Sequence, residues 1–374
     1  MAVHKRDRLR ILIAGGGTGG HLYPALAIAE GLRQAVERCD IRFVGSRYGL
    51  EARILKQHNE VFYPLNIRGI QRSLGPAALG RNLLLPWRLA SSQLRCRRLL
   101  RDFRPQVAVG TGGYAAGIPL RAAQRRGIPT LIQEQNSYPG FTTRRLAARA
   151  DVVCLTYASS AQYLNTQHDV LTGNPVRFNG DGPSREAARE QLRLPPRRQV
   201  LFLLGGSQGS RPLNRHFRAR WETYTAGMGV HLLWQTGPRD YDQLARAVGA
   251  SDRVTLVPFI TDMAAAYAAS DLVVCRAGAT TLSELAYLGR PAILVPLPSA
   301  AGDHQTKNAL TMVARKAARM VPQADLKSGA LEEAVRKLVR YPDRLRAMGK
   351  RARTMARPDA TRLIVEHVLR LAAA

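Results

Sequence analysis

The sequence predicts two α/β domains, each built on a parallel β-sheet. Three observations carry that expectation. The chain has 374 residues, enough for two domains that each bury a core. Short apolar runs alternate with longer amphipathic stretches, as strands joined by right-handed helical crossovers do. These runs form two series, separated by a segment poor in apolar residues.

The first series is residues 10–14, 41–44, 107–109, 130–132 and 152–155; the second is 200–204, 230–234, 254–257, 272–275 and 292–295. Between them, residues 172–184 (TGNPVRFNGDGPS) are rich in Gly, Pro and Asn, which marks a domain seam. Pro342 and Pro358 punctuate later helical segments. Residues 359–374 read as a last amphipathic helix with Leu363, Ile364, Val368 and Leu371 as its apolar side, able to pack on either domain.

Apolar residues are 45% and charged residues 22%, which argues against a disordered or fibrous chain. Lys and Arg number 56 against 27 acids, a formal charge of +29, so the surface attracts something anionic: nucleic acid, acidic lipid or a phosphorylated ligand. Aromatics are only 6%, with no aromatic stripe, RNP-like run or zinc spacing, which tells against nucleic acid. No window reaches 18 apolar residues, and the apolar start at 11–14 breaks into glycine, so neither a membrane span nor a signal peptide is expected. Cys39, Cys96, Cys154 and Cys275 show no CxxC pairing; a reducing cytoplasm is the simplest setting.

The strongest local signal is Gly15, Gly16, Gly17, Thr18, Gly19, Gly20, His21, placed after a strand and before a helical run at 22–32. Glycines there let a phosphate approach the backbone, and the helix N-terminus supplies free N–H groups and about half a positive charge. Gly15, Gly17 and Gly20 formally satisfy GxGxxG, which dinucleotide oxidoreductases share. Their acidic residue belongs near Gly45 and Ser46 here, and none stands there, which argues against nicotinamide binding. Two more glycine turns follow strands, at 110–114 and 205–209; all three belong at the carboxyl ends of strands, where open parallel sheets bind ligands.

Thr281 and Glu284 form an S/T-x-x-E pattern, which is either a capping box or a carboxylate placed for ribose hydroxyls. Asp303, His304, Gln305 and Asn308 are either an ordinary polar loop or a sugar-recognising group.

Seven motifs then occur in one order: GGGTGGHLYPALAIAE at 15–30, GTGGYAAGIP at 110–119, QEQNSYPG at 133–140, TGNPVR at 172–177, GGSQGS at 205–210, CRAGATTLSELA at 275–286 and DHQTKNA at 303–309. With them the chain closely resembles the MurG family of bacterial N-acetylglucosaminyltransferases. The resemblance implies a GT-B fold: two Rossmann-like parallel-sheet domains facing across a deep cleft, the last helix returning to the first domain. Residues 1–177 with 357–374 would form the acceptor and membrane side, and 178–356 the UDP-GlcNAc domain.

The implied reaction is inverting transfer of GlcNAc from UDP-GlcNAc to the 4-hydroxyl of MurNAc-pentapeptide on undecaprenyl diphosphate (lipid I to lipid II) in peptidoglycan synthesis. It implies contacts of Ser207 and Arg177 with the nucleotide and diphosphate, Glu284 with ribose, Ile260 with the uracil edge through its backbone, and Ala279, Thr280, Thr281, Leu282 and Ser283 with the diphosphate. Thr18, Gly19, Gly20, Tyr114 and Asn136 match positions near the acceptor and the transferred sugar, and Gln305 matches a contact to GlcNAc hydroxyls. His21 is the candidate base, because a helix N-terminus disfavours an imidazolium; the bland alternative is a histidine that only bonds backbone in a crowded turn. Glu134 is the rival base. No DxD pair stands at the expected positions, so no metal and no cofactor is expected. The rival readings are a basic nucleic-acid-binding protein and, closer, a UDP-GlcNAc epimerase of similar two-domain shape or a nicotinamide oxidoreductase.

Residues 66–105 hold nine arginines (Arg68, Arg72, Arg81, Arg88, Arg95, Arg97, Arg98, Arg101, Arg104) and one acid, Asp102. Helically wound, Leu79, Leu83, Trp87 and Leu94 share a sector flanked by Arg81, Arg88 and Arg95, and Pro86 starts or kinks the helix. Either the leucines pack inward, or the stripe lies on an anionic bilayer. A polyprenol-borne substrate favours the second, with the enzyme peripheral on the cytoplasmic face of the plasma membrane.

Overall fold

Each apolar series folds into its own all-parallel sheet. In the computed structural model, residues 8–67, 85–178, 180 and 182–374 are described. The chain divides into two compact units, Met1–Arg177 with Arg357–Ala374, and Phe178–Ala356.

The first unit runs β1 (Leu9–Ala14), α1 (Gly19–Ala35), β2 (Cys39–Ser46), α2 (Glu51–Gln57), β3 (Phe62–Leu65), α3 (Leu85–Phe103), β4 (Val107–Gly110), α4 (Tyr114–Gln124), β5 (Thr130–Glu134), α5 (Phe141–Leu146), β6 (Val152–Leu155) and β7 (Asp169–Leu171). Its strands are ordered β3-β2-β1-β4-β5-β6-β7. Side chains alternate across a strand, so Ile11 and Ile13 enter one core with Leu22, Ile28 and Leu32 of α1, while Leu12 and Ala14 enter the other with Leu99, Leu100 and Phe103 of α3. Both faces are covered, which is why the strands read as unbroken apolar runs.

The last helix, Ala360–Ala373, joins this unit and buries Ile364, Val365 and Val368 in the core that α1 shares. Val365 takes the place expected for Leu363, which is only half-buried. The helix lies against Gly31 of α1, where a Cβ would come within 3.1 Å of a Val365 methyl.

Helix α3 turns Cys96, Leu99, Leu100 and Phe103 inward and leaves Trp87, Leu89 and Leu94 exposed. Trp87 and Leu94 are therefore not core leucine-type positions, and the inward face is made by residues nearer the carboxyl end. Arg68, Arg72, Leu79, Arg81 and Leu83 lie outside the described residues. Among the described residues, no helix is long and apolar enough to cross a membrane.

The second unit runs α6 (Arg185–Gln191), β8 (Val200–Leu204), α7 (Arg211–Met228), β9 (His231–Gln235), α8 (Tyr241–Val248), β10 (Val254–Val257), α9 (Met263–Ala269), β11 (Leu272–Cys275), α10 (Ala279–Tyr287), β12 (Ala292–Leu294), α11 (His304–Ala314), β13 (Ala318–Met320), α12 (Ala330–Val339) and α13 (Pro342–Arg353). Its sheet order is β10-β9-β8-β11-β12-β13.

Strands β3, β7 and β13 were not expected. All three are sheet edges of three or four residues, where one ladder of hydrogen bonds suffices and no apolar run is needed; β3 even carries Pro64. In each sheet the strand order reverses at one place, between β1 and β4 and between β8 and β11. Registers Ala14↔Gly110 and Leu204↔Cys275 bring the loops that leave those strands side by side, at the switch point where such sheets bind ligands.

Candidate active site

In the first domain the turn after β1 is Gly15–Gly17, Thr18 is the extended N-cap of α1, and Gly19 and Gly20 open the helix, with His21 third. The glycines answer to the protein's own packing. A Cβ at Gly16, whose φ is +150°, would strike the Glu51 carboxylate, and one at Gly15 would strike the Thr111 hydroxyl. Glu51 is fully buried at the start of α2; its Oε1 accepts Ser46 N–H at 2.8 Å and its Oε2 accepts Gly17 N–H at 2.9 Å. A carboxylate thus does stand at the end of β2, supplied from five residues beyond it. With both oxygens committed to main-chain N–H groups and no exposed surface, it holds the turn and does not face a ribose.

The second glycine turn packs on the first. A Cβ at Gly113 (φ +76°) would strike the Gly16 carbonyl and lie 3.1 Å from His21 Cδ2. The His21 ring fills the angle between the turns: Nδ1 is 3.0 Å from Thr111 O and 3.0 Å from Gln135 Oε1. Thr111 Oγ1 donates to His21 O at 2.8 Å, so the two loops are tied in both directions. Tyr114, first in α4, presents its ring to Gly17, where a Cβ would come within 2.8 Å of it.

Glu134 ends β5, almost fully buried. Its Oε1 accepts Asn136 N at 3.0 Å and Asn136 Nδ2 at 3.1 Å, and its Oε2 accepts Gly140 N at 3.1 Å. Three donors on one carboxylate make it the anchor of the 136–140 loop. The Asn136 carbonyl accepts from Ser160 Oγ at 2.9 Å. Arg177 lies over the ring of Tyr23, 3.7 Å from its centroid, a cation–π contact that holds the guanidinium on α1.

In the second domain, Ser207 stands in the turn between β8 and α7. The Gly206 carbonyl there accepts Gly209 N–H at 3.0 Å and Gln235 Nε2 at 3.1 Å. The other end of Gln235 accepts Ile260 N–H at 2.8 Å. This buried amide at the end of β9 thus links Ser207's turn to Ile260.

Helix α10 begins at Ala279, and its N-cap is Gly278 without a side-chain cap. The capping-box reading is therefore overturned: Thr281 is the third helical residue and Glu284 the sixth. Ala279, Thr280 and Thr281 form the first turn of α10, the end at which the helix carries its partial positive charge. Leu282 does not join them, because its side chain is in the core and its N–H bonds Gly278 O at 3.0 Å. Ser283 Oγ donates back to Ala279 O at 3.0 Å. Glu284 is buried, with Tyr267 OH donating to its Oε2 at 2.9 Å.

Arg276, between β11 and α10, is a buried cation. It donates to Ser210 Oγ (3.1 and 2.8 Å), Val295 O (3.0 Å), Pro296 O (3.1 Å) and Gln323 Oε1 (2.6 Å). Burial pushes its guanidinium down to about 10, still charged at neutral pH. Its partners are neutral oxygens, so its charge adds to the positive ends of α7 and α10. Gln305 Oε1 accepts Leu297 N–H at 2.9 Å, which commits the oxygen end of its amide to the main chain. His304 donates from Nδ1 to Ala301 O at 2.9 Å, and Asn308 is fully buried, its Nδ2 3.4 Å from Ala277 O.

Sequence reasoning missed Glu51, Gln135, Gln235 and Arg276. For the two glutamines a signal existed: an amide that ends an apolar strand of a doubly covered sheet, as Gln235 does, or directly follows one, as Gln135 does, stands at the ligand side. For Glu51 there was none, since its role depends on α2 folding back on the turn.

Residues 11–155 match the glycosyltransferase family 28 N-terminal domain and residues 200–364 the C-terminal domain of the same family. A Salinibacter ruber protein named UDP-N-acetylglucosamine–N-acetylmuramyl-(pentapeptide) pyrophosphoryl-undecaprenol N-acetylglucosamine transferase is 42% identical over 362 residues, covering 97% of this chain and 96% of its own. The crystal structure of Acinetobacter baumannii MurG is similar with a TM-score of 0.74 and 29% identity, covering 97% and 99% of the two chains. A UDP-N-acetylglucosamine 2-epimerase structure is similar in fold alone, at 16% identity and a TM-score of 0.63. Matched in both domains and along nearly its whole length, the chain belongs to glycosyltransferase family 28.

Proposed function

We propose that this chain transfers GlcNAc from UDP-GlcNAc to the 4-hydroxyl of MurNAc in undecaprenyl-diphosphate-linked MurNAc-pentapeptide, with inversion. The observation that carries the reading is the nearly full-length match to enzymes bearing that name, joined to a switch-point site in each domain. The first domain is assigned the acceptor and the second the donor.

In the step, His21 Nε2 takes the proton of the acceptor 4-hydroxyl while its oxygen bonds to the anomeric carbon. The bond from that carbon to the diphosphate oxygen breaks, and UDP departs as an anion. The Ala279, Thr280 and Thr281 N–H groups and the buried Arg276 charge stabilise the departing oxygens, while Ser207 contacts the nucleotide. Glu284 accepts from the ribose hydroxyls, the Ile260 backbone meets uracil, and Gln305 donates to the sugar. Arg177 contributes a cation to the diphosphate from the end of the first domain. Thr18, Gly19, Gly20, Tyr114 and Asn136 line the acceptor side.

Helix α3 suits attachment to an anionic bilayer. Trp87 is 74% and Leu94 56% exposed, seven residues apart and so on one side, with Arg88, Arg95, Arg97, Arg98 and Arg101 around them. A lipid-borne acceptor requires the enzyme at that surface, peripheral on its cytoplasmic face, in the service of cell-wall growth and division.

The test is the product. Radiolabelled GlcNAc is expected on a lipid I analogue with one UDP released per transfer. Conversion of UDP-GlcNAc to its 2-epimer without acceptor would establish the epimerase reading, and uridine bound beside Thr18, away from Glu284, would overturn the domain assignment.

A further inference from the structure

We propose that Gln135 is a positioning residue: it decides which nitrogen of His21 carries the proton, as one member of a line of buried amides that ends at Asn174. The consequence for turnover rests on His21 being the proton acceptor, but the tautomer is a property of the free protein and stands or falls separately.

The direction of the Gln135 amide follows from its neighbours. One end lies 2.7 Å from Thr111 O and 3.1 Å from Gln133 O, and also reaches Gln133 Oε1. Main-chain carbonyls only accept, so that end is the NH2, and the other end, 3.0 Å from His21 Nδ1, is the oxygen. Thr111 O, likewise 3.0 Å from Nδ1, is a second pure acceptor. Nδ1 therefore faces two oxygens and bears a hydrogen in either charge state, and Nε2 is the nitrogen that exchanges its proton. Gln135 so does with a neutral oxygen what a carboxylate does behind many catalytic imidazoles.

The lock extends inward. Gln133 Oε1 is taken by Gln135, so its Nε2 points the other way, to Asn174 Oδ1 at 3.2 Å. Gln133, Gln135 and Asn174 are all buried, where a reversed amide would leave donors facing donors. Asn174 lies three residues before Arg177, where the chain leaves the first domain. The ionisable groups on the neighbouring elements are Glu51 of α2, Tyr114 of α4 and Glu134 of β5.

The experiment is side-chain 15N–1H correlation spectroscopy of the histidines in the full-length chain without substrate, His21 being assigned by its loss in His21→Gln. Wild type is expected to show the Nδ1–H tautomer at His21, and Gln135→Leu to add a clear Nε2–H population. In turnover, Gln135→Leu is expected to lower kcat about tenfold to a hundredfold while KM for UDP-GlcNAc holds. Gln135→Glu is a second variant that keeps an oxygen toward His21 Nδ1 and should retain Nδ1–H. A wild-type Nε2–H tautomer, a Gln135→Leu spectrum unchanged from wild type, or loss of Nδ1–H in Gln135→Glu would each overturn the proposal. If the tautomer behaves as expected while no transfer to lipid I analogue occurs, only the functional reading fails.

Discussion

The Glu51 carboxylate accepts the main-chain N–H of Gly17 at 2.9 Å, binding α2 to a turn 34 residues earlier. Its other oxygen holds Ser46 N–H, so each oxygen meets a donor. Glu51→Gln would set an NH2 against one of those N–H groups, at a cost of ~1–3 kcal/mol to the first domain. Hydrogen exchange of the β1–α1 amides reads this directly. Gly16→Ala should destabilise at least as much; a turn shaped only by a ligand would tolerate it and lose binding alone.

His21→Ala should reduce kcat on the order of 10² or more, the usual contribution of a general base, while the variant folds and binds UDP-GlcNAc as before. Near-normal turnover removes His21 from the chemistry. Glu134→Gln should instead act mainly on the 136–140 loop, because each of its oxygens is bound by a loop N–H there.

Glu284 is held by Tyr267 OH at 2.9 Å at the second turn of α10. Loss of a charged hydrogen-bond partner is worth ~1.5–3 kcal/mol, so Glu284→Ala should raise KM for UDP-GlcNAc roughly tenfold to a hundredfold. Affinity for dTDP, which lacks the ribose 2′-hydroxyl, should change less. Equal weakening of both nucleotides contradicts the ribose contact.

Vesicle sedimentation tests α3. Binding to anionic vesicles should be strong at low salt and fall at high salt, since each basic residue contributes about 1 kcal/mol at such a surface. Trp87→Ser with Leu94→Ser should weaken it without changing the fold, because both side chains are exposed. An absence of binding at low salt removes the membrane role of this helix.

Burial lowers two histidines of the second domain below their ordinary value near 6.5: His216, near Tyr224, Glu332 and Arg220, and His231, near Arg198, Asp252 and Arg189. A histidine kept neutral by folding contributes stability above its unfolded value, and that stability is lost as pH falls through 6.5 toward the folded value, because the unfolded chain takes the proton first. The second domain should therefore weaken below about pH 6.5 in urea titrations, and His231→Gln should flatten that dependence.

The sequence by itself determined the two parallel sheets, because strands covered on both faces must be apolar throughout, and periodicity reports that locally. It also carried the family, through seven ordered motifs spread over both domains. Tertiary structure decided what the motif residues do. The edge strands β3, β7 and β13 had no apolar run to announce them, and the last helix's use of Val365 depended on Gly31 of α1. Thr281 and Glu284 matched a cap by spacing, yet the helix starts earlier and places Glu284 on Tyr267. His21 reaches its partners across 90 and 114 residues, at Thr111 and Gln135. Whether a polar group is a ligand contact, a turn anchor or a partner to another side chain depends on which loops the sheet order makes neighbours, and sequence separation carries no information about that.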